Sequence, residues 1–257
     1  MIESQRIPLW ERNRVANGDF EPFLEIYPPA GSEPRPGLLV IPGGGYLNIS
    51  EFEGRPVAER FMELGFQPAV LHYRRDPRFY PDPQLDALRA VQMMRLIGER
   101  GGIIPDKVAV MGFSAGGHLA ASTGTLADAI EVVANDAADA MNPRPDAMVL
   151  CYAVISAELQ PDSFRHLTGG NPEQCKYLSL ENRVDENTPP AFMWHTAEDK
   201  VVPLENALVF AEAMKRHGRP LEMHVFPEGH HGINLAEGFS AVIWPELAAA
   251  FLKRVLA

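Results

Sequence analysis

The stretch Val108-Ala-Val-Met-Gly-Phe-Ser-Ala-Gly-Gly-His118 sets a G-x-S-x-G, Gly112 to Gly116, directly after an apolar run and at the head of a helical pattern. A sharp strand-to-helix turn lifts a serine hydroxyl out of a sheet, and flanking glycines give that turn room, so Ser114 is the candidate nucleophile. Five residues can match such a pattern by chance, and a serine opening a helix is ordinarily an N-cap. The strand before it and the helix after it are what favour the chemical reading. His118, one helical turn on, is expected to be a packed, hydrogen-bonded neighbour of the site.

Attack by a serine on an acyl carbon creates an oxyanion, which needs donors already in place. The amide of Ala115, just past the nucleophile, is one candidate. Ile41-Pro-Gly-Gly-Gly-Tyr46 follows an earlier apolar run, and there the amides of Gly44 and Gly45 are the others, with Tyr46 expected to line or back the site. The glycine run is also readable as a flexible turn or a phosphate loop. It fits neither G-x-x-x-x-G-K-[ST] nor G-x-G-x-x-G, so the nucleotide reading fails.

An imidazole must take the serine proton and a carboxylate must orient it. Downstream of Ser114, Trp194-His-Thr-Ala-Glu-Asp-Lys-Val-Val-Pro203 offers Glu198 and Asp199 past an apolar run, with Asp185 a more distant option. Phe226-Pro-Glu-Gly-His-His-Gly-Ile-Asn-Leu-Ala236 then offers His230 and His231. The chain order serine, acid, histidine is satisfied, but loop position alone separates neither the two acids nor the two histidines. His195, at a strand end, reads as core or pocket lining.

The elements that must position these residues are short apolar runs alternating with helical patterns, which predicts an α/β fold with a mostly parallel sheet and helices on both faces. Central strands are expected at Leu38 to Ile41, Pro68 to His72, Val108 to Gly112, Ala147 to Tyr152, Ala191 to His195 and Glu222 to Phe226. Their nearly continuous hydrophobicity predicts cover on both faces. Helices are expected at Arg55 to Leu64, Gln84 to Arg100, Ser114 to Leu126, Leu204 to His217 and from about Phe239 to Leu256. Leu85, Leu88, Val91, Gln92 and Arg95 carry the spacing of a one-sided helix. Phe20 to Tyr27 reads as a leading antiparallel strand at the sheet edge. Two segments break the rhythm: Asp128 to Pro145, acidic and alanine-rich, and Ser156 to Pro190, long and polar. The second is expected to cap the C-terminal edge of the sheet as a binding loop.

The 257 residues fit one domain, 1–257, and a formal net charge of −11 argues against a nucleic-acid partner. The opening Met1 to Trp10 has no uninterrupted apolar stretch, no run reaches membrane-spanning length, and Cys151 and Cys175 form no disulfide framework. These features predict a cytoplasmic protein without a membrane partner, with secretion the alternative should a signal peptide have been removed.

Taken together, "PGGGY", "HYR" at His72 to Arg74, "GFSAGGHLA", "TPPAFMWHTAEDKVVP" from Thr188 and "FPEGHHGINLA" resemble the α/β-hydrolase superfamily, and within it small esterases related to carbohydrate acetyl esterases, xylan-esterase-like. The resemblance implies Ser114 as nucleophile, Asp199 as acid and His231, immediately before Gly232, as base. It implies a short-acyl ester of a sugar or oligosaccharide as substrate, with no metal or organic cofactor. Related lipases often begin the oxyanion loop with His where this chain has Pro42, which weakens transfer of their substrate preference. A peptidase, amidase or formamidase using the same three residues is the alternative activity, and a catalytically dead binding module the alternative class.

Overall fold

The computed structural model describes residues 3–11, 20–29, 31–77 and 79–257; Met1 and Ile2 of the opening stretch lie outside the described residues. Among these, eight strands form one sheet in the order β1-β2-β4-β3-β5-β6-β7-β8. They are β1 (Gln5–Pro8), β2 (Phe23–Ile26), β3 (Arg35–Ile41), β4 (Gln67–His72), β5 (Ile103–Phe113), β6 (Ala147–Cys151), β7 (Ala191–Thr196) and β8 (Leu221–Phe226). From β4 through β8 every pairing is parallel, while β1 with β2 and β2 with β4 are antiparallel. The expected α/β architecture is present.

Two expectations are corrected at the sheet edges. The leading strand is the shorter Phe23–Ile26, and it is not the edge, because Gln5–Pro8 pairs outside it. QRIP carries one half-buried residue in four, too little apolar alternation to announce a strand. At the opposite edge β8 is not covered on both faces: only Phe226 is buried and Val225 is exposed. An edge strand has one neighbour, so Glu222 and His224 reach solvent and pair with each other at 2.9 Å.

Helices cover both faces. α1 (Arg55–Glu63) and α7 (Trp244–Val255) bury Phe61, Trp244 and Phe251 on one side with Ala109, Met111 and Phe113 of β5. α2 (Asp82–Gly98), α3 (Ala115–Thr125) and α6 (Glu205–Arg216) bury Leu88, Leu119 and Phe210 on the other with Val108 and Val110. Successive residues of β5 thus serve different cores, as the pleat requires. The terminal helix begins later than its hydrophobicity suggests. Residues Ser240–Ile243 form a separate 3-10 turn, and Pro245 sits in the first turn of α7, where no amide is needed.

Both irregular segments acquire anchors. Within 128–145, the buried Arg89 of α2 pairs with Asp136 and Asp139, and Arg95 binds the carbonyls of Asn142 and Arg144 at 2.9 and 2.6 Å. Within 156–190 the chain folds into α4 (Pro161–Thr168) and α5 (Pro172–Tyr177); α4 sends Phe164 and Leu167 into the α2–α3 core, and Leu178, just past α5, joins them.

Candidate active site

Ser114 stands between the end of β5 and the start of α3 with φ 53° and ψ −121°, a conformation that L-residues avoid. The turn is held by its neighbours. Ser114 N–H donates to Cys151 O at 3.0 Å, and its carbonyl accepts from His118 N–H at 3.2 Å and Val154 N–H at 3.0 Å. Gly116 allows α3 to approach the first loop, since a β-carbon there would stand 2.2 Å from Ile41 O and 2.4 Å from Pro42 O. These contacts hold the serine hydroxyl at the C-terminal edge of the sheet.

Asp199 follows β7 and His231 follows β8. His231 Nδ1 lies 2.7 Å from Asp199 Oδ2, and His231 Nε2 lies 2.8 Å from Ser114 Oγ. A carboxylate only accepts, so Nδ1 carries the hydrogen and the Nε2 lone pair of the neutral ring faces the serine hydroxyl. Asp199 is nearly buried, and its Oδ1 accepts the amides of Val201 and Val202, each at 2.9 Å. Burial pushes the Asp199 carboxyl up, but hydrogen bonds from His195 and His231 outweigh it and hold the group well below the usual carboxylate range. His195, fully buried, donates Nε2–H to Val202 O at 2.9 Å and stands 3.4 Å from Asp199 Oδ2. It braces the acid loop from the core.

The other candidates separate by surroundings. Glu198 is exposed. Asp185 closes a local turn with Asn187 N–H and the Thr188 hydroxyl. His230 is exposed, donates Nδ1–H to its neighbour's carbonyl, and sets its ring at 89° to Phe239. Of the paired histidines, it is His231 that meets both Ser114 and Asp199.

Gly44 and Gly45 take φ of 125° and 65°, and the carbonyl of Gly44 accepts the amides of Leu47 and Asn48, closing a tight turn beside Ser114. Tyr73, from the "HYR" stretch, donates its hydroxyl to Pro42 O at 3.0 Å. Tyr46 is buried, and its hydroxyl meets His118 Nδ1 at 2.7 Å while His118 Nε2–H donates to Leu178 O at 2.9 Å. Since a carbonyl cannot donate, Nε2 holds the imidazole hydrogen and Tyr46 donates to Nδ1. Burial lowers the His118 pKa to about 4, which keeps the ring neutral, so Tyr46 and His118 back the site without lining it.

A cavity of about 410 Å³ opens over Ser114 and His231, walled by Gly44, Gly45, Ser50 and Glu53 on one side and by Gln160, Asp162, Ser163 and His166 of the α4 region on the other. The 156–190 segment therefore contributes directly to the site wall. A larger hollow of about 580 Å³ adjoins it along Asp199, His230 and His231, but Ser114 does not line that one. Sequence reading singled out "HYR" without giving Tyr73 a role, and it missed Glu53 and Tyr152, whose link to each other and to Asn234 spans tens of residues and leaves no local pattern. Among the described residues no helix is long and apolar enough to cross a membrane.

A family model described as BD-FAE matches residues 24–214. Among curated proteins, the chain is 37% identical over 246 residues to endo-1,4-beta-xylanase B of Butyrivibrio fibrisolvens, covering 91% of this chain and 39% of that protein. It is 28% identical over 212 residues to the acetylxylan esterase of Xylanibacter ruminicola, covering 79% and 42%. The chain thus spans about two fifths of the length of these relatives. Among solved structures, the acetyl ester-xyloside bifunctional hydrolase from Caldicellulosiruptor lactoaceticus matches with a TM-score of 0.93 at 39% identity, covering 99% of this chain and 97% of that one. A thermophilic esterase from Thermogutta terrifontis matches at 0.81 and 28%, covering 98% and 92%.

Proposed function

The chain belongs to the BD-FAE family of the α/β-hydrolases, and from that premise we propose that it hydrolyses carboxylic esters through Ser114, His231 and Asp199. The observation that carries this reading is the unbroken line Asp199–His231–Ser114, at 2.7 and 2.8 Å, ending on a serine in a strained turn. Ser114 Oγ attacks the ester carbonyl while His231 Nε2 takes its proton. The oxyanion forms facing the amides of Gly44, Gly45 and Ala115. Collapse breaks the C–O bond, and the imidazolium returns its proton to the departing alcohol. Water, deprotonated by the same ring, then attacks the acyl-serine, and a second collapse releases the acid and restores the hydroxyl. Asp199 keeps Nδ1 protonated and stabilises the imidazolium in both halves. None of these steps requires a metal or organic cofactor.

For the substrate we propose a short acyl group on a sugar or oligosaccharide. The polar wall from 160–166 supports this, since hydroxyl-rich alcohols need donors and acceptors beside the scissile bond. Relatives named as an acetylxylan esterase and an acetyl ester-xyloside hydrolase support it too. We assign the 156–190 segment as the cap that forms this alcohol side.

Ser114→Ala is expected to abolish turnover of nitrophenyl acetate and labelling by a fluorophosphonate while the melting temperature holds. Full turnover by the pure variant sinks the mechanism, and an unlabelled, folded wild type favours a binding module. A panel of acetylated sugars, feruloyl esters, formamides and aminoacyl amides tests the substrate class, with preference for an amide overturning it.

A further inference from the structure

A buried carboxyl in the wall of the same cavity takes no part in these steps. Glu53, 4% exposed, comes from the 3-10 turn Glu51–Glu53 beyond the glycine loop. Its Oε2 accepts Gly43 N–H at 2.8 Å, and its Oε1 accepts the Tyr152 hydroxyl at 2.7 Å. Gly43 is gripped on its other side as well, its carbonyl accepting Ser50 N–H at 3.0 Å. A β-carbon on Gly43 would stand 2.9 Å from Glu53 Oε2 and 3.0 Å from Ser114 Cβ, so carboxyl and nucleophile flank one glycine.

Tyr152 extends the connection. Its hydroxyl accepts Asn234 N–H at 3.2 Å, from the loop that carries His231. Its ring centroid lies 5.1 Å from that of the His231 imidazole at 69°, an edge-to-face contact that fixes the ring plane. One carboxyl therefore touches the Pro42–Gly43 peptide, next to Gly44, and, through one phenol, the loop and ring of His231. Burial raises this carboxyl above its ordinary value, and the bonds from Tyr152 and Gly43 offset only part of that desolvation cost. A carboxylate here would work against a developing oxyanion and a neutral carboxyl would add no charge to stabilise it, so the benefit of Glu53 to the reaction has to be geometric.

We propose that Glu53 is a positioning residue: by accepting Gly43 N–H and Tyr152 O–H it holds the loop of Gly44 and Gly45 in register with the His231 ring, so that donors and base meet one substrate geometry. This role rests on the esterase reading. Small displacements of a reacting geometry lower turnover more than binding, which sets the expected signature.

The test uses the whole chain as wild type, Glu53→Ala, Glu53→Gln, Tyr152→Phe and the Glu53→Gln/Tyr152→Phe pair. Active sites are counted by saturating fluorophosphonate labelling, and kcat per labelled site and KM are measured on nitrophenyl acetate. Glu53→Ala should lower kcat per labelled site by about 10- to 100-fold, with KM within about threefold. Glu53→Gln and Tyr152→Phe, which keep the cavity filled, should each lose about 3- to 30-fold, and the pair should lose no more than the worse of the two, because they break one chain of contacts. A merely structural role would reduce the labelled fraction and leave kcat per labelled site intact. Wild-type turnover per labelled site in Glu53→Gln and Tyr152→Phe, or losses that multiply in the pair, overturns the proposal alone. A wild type that neither labels nor turns over ester defeats the esterase reading and this role with it.

Discussion

At the scale of single residues, the site is a set of near neighbours told apart by what each one touches. Asp199→Asn should cut kcat by about 10⁴-fold, since an amide in place of the carboxylate favours the wrong imidazole tautomer, whereas the exposed Glu198→Gln should stay within twofold. His231→Ala should match Ser114→Ala in inactivity, with His230→Ala retaining most of the rate; steady-state kinetics of the four variants checks both pairs, and the opposite ranking in either pair reverses that assignment. His118 gives a pH prediction. Its folded pKa, about 4, lies below the ordinary unfolded value near 6.5, so the unfolded chain takes up the proton first as pH falls. Stability is full above about 6.5 and declines towards 4, by about 3 kcal/mol in all. Replacing His118 by Gln should flatten the urea-midpoint curve in that window; parallel curves would refute the assignment. Ser114 was legible because its turn is written in five consecutive residues. Glu53 and Tyr152, 99 positions apart, meet only after folding, and nothing near "SEFEG" marks an acid that will be buried.

At the scale of elements, the contact between α3 and the loop after β3 sets how closely nucleophile and oxyanion donors approach. Gly116→Ala drives a methyl group into the carbonyls of Ile41 and Pro42, so it should destabilise the fold by about 3 kcal/mol or more, read as a lowered urea midpoint. Gly116→Ser should be no better, and an unchanged midpoint in either would show that the loop yields freely. The interior strands were readable because parallel strands covered on both faces are apolar throughout, as in Val108 to Phe113. The edges were not. Gln5–Pro8 earns its place by backbone pairing with β2 and not by side-chain burial, and β8 is half-exposed because no strand among the described residues pairs beyond it. The helices of 156–190 were hidden for a related reason: α4 and α5 have eight and six residues, too few for a helical period to emerge from a polar segment.

At the scale of the whole molecule, the sheet divides two cores, and the three proposed catalytic residues do not share one. Ala115 and Leu119, which seat the helix after Ser114, and Val202, beside Asp199, belong to the core of α2, α3 and α6. Ile233 and Ala236, which seat the loop of His231, belong to the core of α1 and α7. On the proposed mechanism, hydrolysis acts as a coincidence detector: it reports the state in which both halves have consolidated, and a chain with only one half in place is silent however much helix it contains. Chains of this size commonly pass through partly packed intermediates. On dilution from urea, recovered turnover should lag the recovered helical signal, and loosening either half, by Leu88→Ala or by Phe251→Ala, should lengthen the lag. Turnover rising in step with the first helical signal would mean that the two halves consolidate as one.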